Sequence, residues 1–193
     1  WVECDRCIAE LTGNSRRVAI IARFTGLRIS QILGLRWEDL DMGARTLCIR
    51  IGKSKAEKRG RVVPVSAHLV AEMAGWGSRE GLIFPGRLDP NKPMDDSNHR
   101  DAIRSAWQAA GVREEAWGQV GRGNAKPIHA FRYALQSELM RAGAQPDAVE
   151  HLVGHQLQGA RAWYIDTDIA LMDKARQAVD LIRAYLGYAR QLG

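Results

Sequence analysis

Cysteine is scarce. Cys4, Cys7 and Cys48 are the three in 193 residues, too few and odd in number for a disulfide framework, which suits a reducing cytoplasm. Cys4-x-x-Cys7 is the one metal-like spacing, but a structural zinc site wants four ligands and no second Cys or His pair with finger spacing follows. The pair is therefore expected as two half-buried thiols on a first helix, with no metal. No apolar run approaches the roughly 20 residues of a membrane-spanning helix, and the opening residues Trp1 to Arg6 lack a basic-then-apolar signal segment. Membrane insertion and secretion are both disfavoured, and a cytoplasmic place is expected. Internal repeats and low-complexity tracts are absent as well. Because the chain opens on Trp1 rather than Met, a longer parent with a further N-terminal domain is expected.

With 46% hydrophobic and 26% charged residues, the chain has the balance of one compact domain with a real core, residues 1–193. The location of its charge is more telling than the total. Arg45, Arg50, Lys53, Lys55, Lys58, Arg59 and Arg61 stand against the single acid Glu57, so the entire net charge of +6 falls in one short segment. A local excess of this kind marks a nucleic-acid or phosphate surface, and apolar alternation on both sides argues against a solvated charge run.

The pattern predicts several helices interrupted by one small β element. Val18, Ile21, Ala22 and Thr25 recur at helical spacing, with Asn14 or Ser15 as the expected N-cap and Gly26 as the stop. Ile29, Ile32, Leu33 and Leu35 give a second short helical face, followed by Trp37 and an acidic stretch to Asp41. Residues 46–51 and 61–65 read as two strands of a hairpin with a long basic tip, and Pro64 demotes the second to an edge or an end. Ser66 and Ser97 are expected to cap helices. Pro127 suits the first turn of a helix striped with Ile128, Phe131, Leu135 and Leu139. A short helix over 146–153 leads to Gly154-His155, and Met172, Ala175, Val179, Ile182 and Leu186 mark an amphipathic C-terminal helix. The fold class is mainly α with a small antiparallel β-hairpin sheet.

Several positions could carry chemistry. His129 and Arg132 are three apart and share a helix face, which alone is more often an ordinary polar face. Arg28, set among Leu27, Ile29, Ile32 and Leu33, is expected to be drawn partly inward, where a guanidinium needs a carboxylate such as Glu38 or Asp39, or a phosphate. His151 and His155 have the i, i+4 spacing of a zinc protease, but Leu152 stands where its glutamate belongs. Tyr164 follows His155 by nine residues.

Taken in order, these residues match a family. The run Thr25-Gly26-Leu27-Arg28-Ile29-Ser30-Gln31-Ile32-Leu33-Gly34-Leu35-Arg36-Trp37-Glu38-Asp39-Leu40-Asp41 closely resembles the first arginine box of tyrosine recombinases, the phage integrases and Xer-type enzymes. The basic hairpin with Lys53, His129-x-x-Arg132, Gly154-His155 and Tyr164 then follow as that family has them, over about residues 14 to 186.

The resemblance implies the catalytic domain of a site-specific DNA recombinase without its N-terminal core-binding domain. It implies metal-independent cleavage and rejoining of double-stranded DNA, with no cofactor, through a 3′-phosphotyrosyl intermediate on Tyr164. Arg28 and Arg132 are then the guanidiniums on the phosphorane oxygens, where a lysine would lose the paired donors. Lys53 is the general acid for the leaving 5′-oxygen, with Lys55 as its alternative. His129 assists proton transfer and His155 hydrogen-bonds the phosphate. Arg50, Lys55, Lys58, Arg59 and Arg61 are the expected DNA contacts. A homo-tetramer on DNA at the nucleoid is implied, with the C-terminal helix docked on its own domain or on a neighbour. Tyr133, where many relatives carry histidine, is expected to pack, and Tyr185 and Tyr188 are read as structural. Two other classes share these features: a DNA-binding regulator without catalysis, and a type IB topoisomerase-like enzyme that relaxes DNA.

Overall fold

The computed structural model describes residues 2–50, 61–77, 80–113, 126–154 and 168–189. The expected sites Lys53, Lys55, Lys58, Arg59, His155 and Tyr164 lie outside them. The chain divides into two compact units, Trp1–Glu38 with Arg79–Leu135, and Asp39–Ser78 with Gln136–Gly193.

In the first unit, helix α1 (Val2–Ala9) is followed by α2 (Gly13–Thr25), the short α3 (Ile29–Leu33), α5 (Ser97–Ala109) and the N-terminal part of α6 (Pro127–Arg141). Every residue of α2 from Val18 to Thr25 is buried, so this helix is the axis of the unit and not a surface helix with one apolar stripe. Its N-cap is Thr12, two residues before Asn14 and three before Ser15, the expected caps. The reason is that Asn14 and Ser15 are occupied elsewhere: the Asn14 amide donates to Met94 Sδ (3.3 Å) and the Ser15 hydroxyl bonds His99 Nδ1 (3.0 Å). Similarly Asp96, not Ser97, stands at the N-cap of α5, because both the N–H and the hydroxyl of Ser97 donate to Asp95.

Cys4 and Cys7 are fully rather than half buried, and burial pushes their thiols up to about 11 and about 12. Thiols held this far from ionisation are poor ligands and nucleophiles. Among the described residues no cluster of three or more His, Cys, Asp or Glu could hold a metal. Beside Cys4, Asp5 accepts a 2.8 Å hydrogen bond from Arg23 Nε, whose side chain is 0% exposed.

The second unit holds a three-stranded antiparallel sheet, β1 (Leu40–Asp41), β2 (Thr46–Ile49) and β3 (Arg61–Pro64), in the order β1-β2-β3. The hairpin is therefore extended by one strand, which two residues beside Glu38 and Asp39 do not advertise. Leu40 pairs with Leu47, and Cys48 with Val62; Pro64 ends the edge strand opposite Thr46, where its missing N–H disturbs no further ladder. Arg50, just past β2, pairs with buried Asp39, just before β1.

Ser66 accepts from the Leu69 N–H and caps α4 (Ala67–Ala74). Helix α7 (Pro146–Val153) starts on its proline and ends at Gly154, which takes φ +75. Helix α8 (Asp168–Ala189) packs on α7, α4 and β3, burying Leu171, Ala175, Ala178, Val179 and Ile182, with Met172 only half-buried. Lys174 donates to Asp147 at 2.9 Å and Arg45 to Asp180 at 3.3 Å. Among the described residues no helix is long and apolar enough to cross a membrane.

The ion pair under α1 is the most exposed point of this packing to mutation. Asp5→Ala withdraws a charged acceptor from a guanidinium that water does not reach, and is expected to lower the unfolding free energy by about 1–3 kcal/mol. Urea denaturation checks it; an unchanged midpoint would contradict the assignment.

Candidate active site

The site grows from the end of α2. Thr25 turns its hydroxyl back to the Ile21 carbonyl (2.6 Å) and accepts from the Leu27 N–H (3.3 Å). Gly26 then adopts φ +63, its N–H bonding the Ala22 carbonyl at 2.8 Å. A left-handed residue at this point is what ends the helix cleanly, and glycine adopts it without steric cost. The reversal leaves the Gly26 carbonyl and the Arg28 side chain on the same short turn.

Arg28 stands at the N-cap of α3 in extended geometry, φ −70 and ψ 150. Its backbone N–H donates to the side-chain oxygen of Gln31 (3.1 Å), which is itself buried. Ile29, Ile32 and Leu33 sink the other face of α3 into the core. Backbone and helix are thus both pinned, and Arg28 is left half-buried, as its apolar flanks predict. Of the acids expected near it, Glu38 accepts from the Gly81 N–H (2.8 Å) and from Arg36 (3.3 Å), and its carboxyl is held below the usual range chiefly by that N–H. Asp39 pairs with Arg50.

Opposite the turn runs α6. The Trp107 indole donates to the Pro127 carbonyl (3.0 Å), and its ring lies 4.8 Å from that of Phe131 at 40°. With Phe131 and Leu135 wholly buried, this grip sets the rotation of the helix. Arg132 is thereby turned inward, 5% exposed, and its Nη1 donates to the Gly26 carbonyl at 2.7 Å. His129, one turn earlier, is half-buried. Tyr133 points outward at 43% exposure, so the expected packing role does not hold for it.

Burial pushes the His129 imidazole below its ordinary pKa, and the positive charges of Lys126, Arg132, Arg28 and Arg100 push it further the same way. Three of the expected residues, Arg28, His129 and Arg132, therefore meet in the first unit with two more cations close by. Sequence reasoning passes over Lys126, Arg100 and Trp107, and it turns Gln31 outward with Ser30, whereas Gln31 is buried because its side chain holds the Arg28 N–H. Lys126 could have been found from its place just before the helix-starting proline, and Gln31 from its spacing of three from Arg28. Nothing in the sequence marks Arg100 or Trp107. In the second unit, Arg50 is exposed and tied to Asp39, while Arg61 is half-buried.

A cluster of fixed guanidiniums around a neutral imidazole is suited to an oxyanion that gains charge during reaction. The model of the phage integrase family matches residues 5–170. The chain belongs to the phage integrase family. Tyrosine recombinase XerC of Xanthomonas campestris pv. campestris (strain B100) is 26% identical over 179 residues, covering 90% of this chain and 48% of that relative. Tyrosine recombinase XerA of Thermococcus kodakarensis is 23% identical over 177 residues, covering 89% of this chain and 57% of its own length. The chain thus spans about half the length of the curated relatives it matches. Among solved structures, the integrase from mycobacterium phage Brujita superposes with a TM-score of 0.68 at 22% identity, over 93% of this chain and 55% of that one. The Tn1549 transposon integrase, in complex with circular intermediate DNA, does so with 0.56 at 17% identity, over 88% and 59%. These likenesses show the integrase fold.

The imidazole gives a direct test. The His129 ring is expected to titrate below the ordinary value of about 6.5, and Arg28→Ala should raise it by removing one of the repelling charges. Because the folded chain refuses a proton that the unfolded chain accepts, this group's contribution to stability falls as pH drops through that ordinary value. NMR titration of the imidazole protons checks both; a value at or above the ordinary one would contradict the cluster.

Proposed function

We propose that the chain is the catalytic domain of a site-specific tyrosine recombinase, acting on double-stranded DNA of a mobile element in the cytoplasm, at the nucleoid. The observation that carries the reading is the meeting of Arg28, His129 and Arg132 on a turn and a helix that are bonded to each other. Family membership over residues 5–170 supports it, as does the DNA held by the Tn1549 relative.

In this reading the Tyr164 hydroxyl attacks a backbone phosphodiester. A Tyr–O–P bond forms, the bond from phosphorus to the 5′-oxygen breaks, and the strand is left joined to the protein through a 3′-phosphotyrosyl link. The phenol, with an unperturbed pKa of about 10, must lose its proton as it attacks. His129, kept neutral by burial and by its cationic neighbours, is able to take that proton. Arg28 and Arg132 donate paired N–H bonds to the non-bridging oxygens as charge accumulates, and His155 donates another. Lys53, or Lys55 two residues on in the same basic segment, protonates the departing 5′-oxygen. Rejoining is the reverse sequence with the 5′-hydroxyl of a partner strand, so bond energy is conserved in the protein–DNA link and no nucleotide is consumed.

Lys55, Lys58 and Arg59 hold the duplex by its phosphates, and a tetramer on two duplexes brings the exchanging strands together.

Covalent capture tests the proposal. Full-length parent protein is incubated, with a chelator present, with nicked suicide duplexes drawn from the element's ends, and DNA-linked protein is sought on a denaturing gel. An adduct that disappears in Tyr164→Phe is the expected result. Absence of adduct from the unaltered protein, despite measured DNA binding, would contradict the proposal.

A further inference from the structure

The basic window makes Arg61 a candidate phosphate contact, yet its guanidinium is engaged inside the second unit. Nη1 donates to the His151 carbonyl at 2.6 Å. That carbonyl lies in the last turn of α7 and also accepts from the Gly154 N–H at 3.1 Å. Carbonyls at this end of a helix lack the regular i+4 N–H donor, and they carry the negative end of its dipole, so a cation is the natural cap. The guanidinium also lies against Gly154. A Cβ built there would overlap Nη1, Cζ and Nη2, and the positive φ of +75 disfavours a side chain independently. The contact is answered from the other side: a ring nitrogen of His151 bonds the Val62 carbonyl at 3.2 Å, so the imidazole is the donor. Two adjacent residues of β3 and the end of α7 are thus joined by reciprocal bonds.

We propose that Arg61 is a positioning residue and not a DNA contact: its guanidinium caps α7 and occupies the space that glycine leaves at position 154, fixing the point from which the chain runs on to His155. The catalytic consequence rests on the function proposed above, whereas the contact itself does not. Arg61 directly follows the basic segment that contains Lys53, and Gly154 directly precedes His155. The same guanidinium therefore ties the residue that follows the general-acid segment to the residue that precedes the phosphate-binding histidine. Loosening it lets two reacting groups drift at once, and misplacement by an ångström is enough to slow a reaction by orders of magnitude.

Three measurements on the full-length parent separate this from a phosphate contact. The first is the salt dependence of duplex binding. Arg61→Ala is expected to leave the log–log slope unchanged, whereas loss of a phosphate contact would flatten it by about 0.9. The second is a double-mutant comparison by chemical denaturation. Gly154→Ala displaces the guanidinium as well as straining the backbone, so its midpoint shift should shrink by about half when Arg61 is already alanine, the mark of two residues in contact. Equal shifts in both backgrounds would overturn the contact, as a flattened slope would overturn the positioning role. Arg61→Gln carries the same comparisons if the alanine variant does not fold.

The third is the rate of covalent adduct formation at saturating DNA. Arg61→Ala should lower it by about tenfold or more with the half-saturating DNA concentration unchanged, and Arg61→Lys should recover part of it, because an ammonium still reaches the His151 carbonyl. A parental rate in Arg61→Ala would overturn the proposal. If the unaltered protein forms no adduct, the proposed function fails, while the slope and the denaturation comparison still decide the role of Arg61.

Discussion

The hydrogen bond from Arg132 to the Gly26 carbonyl is the constraint on which the candidate site depends. It joins α6, a helix whose rotation is set by Trp107 and Phe131, to the turn that presents Arg28. Neither element alone would fix the distance between the two arginines. A guanidinium serves here because it has five donors in a rigid plane, so that a bond to the Gly26 carbonyl engages only part of the fork. The long reach of the side chain matters less than this division of its donors.

The same arrangement decides the charge state of the site. Cations brought together in a partly dry place repel one another, and the packing holds them by contacts of several kinds: the Gly26 carbonyl for Arg132, a backbone N–H clasped by Gln31 for Arg28, and the Asp96 carboxylate for Arg100. The group that yields is His129, the one able to lose its charge at modest cost. A neutral imidazole among fixed guanidiniums is the combination that a phosphoryl transfer with an attacking phenol needs. Anion complementarity and a base held in its neutral form are therefore two outcomes of one packing arrangement.

Local chemistry made much of this legible in the sequence. The left-handed Gly26, the Ser66 cap, the start of α6 at Pro127 and the short α7 between Pro146 and Gly154 all follow from residue types whose backbone preferences are strong, and the structure has each of them in place. The ordered motifs led to the family because their spacing is set by the fold. What was not legible depends on contacts distant in sequence. Asn14 and Ser15 look like caps until Met94 and His99 are seen beside them; β1 is two residues long and defined by its partner strand; Arg100 joins the cluster from a helix with no motif of its own. Arg61 is the clearest example. Composition counts it as one more positive charge, and only the carbonyl end of α7 and the bare Cα of Gly154 show what the charge is used for.

The central claim, that the Arg132 fork both braces the Arg28 turn and stabilises the reacting phosphate, is tested most directly by Arg132→Lys in the full-length parent. Adduct formation on a suicide duplex and equilibrium DNA binding are measured together. The account predicts that affinity stays within about twofold while adduct formation falls by about a hundredfold or more, since a lysine keeps the charge and loses the fork. A lysine variant that cleaves at the parental rate would contradict it.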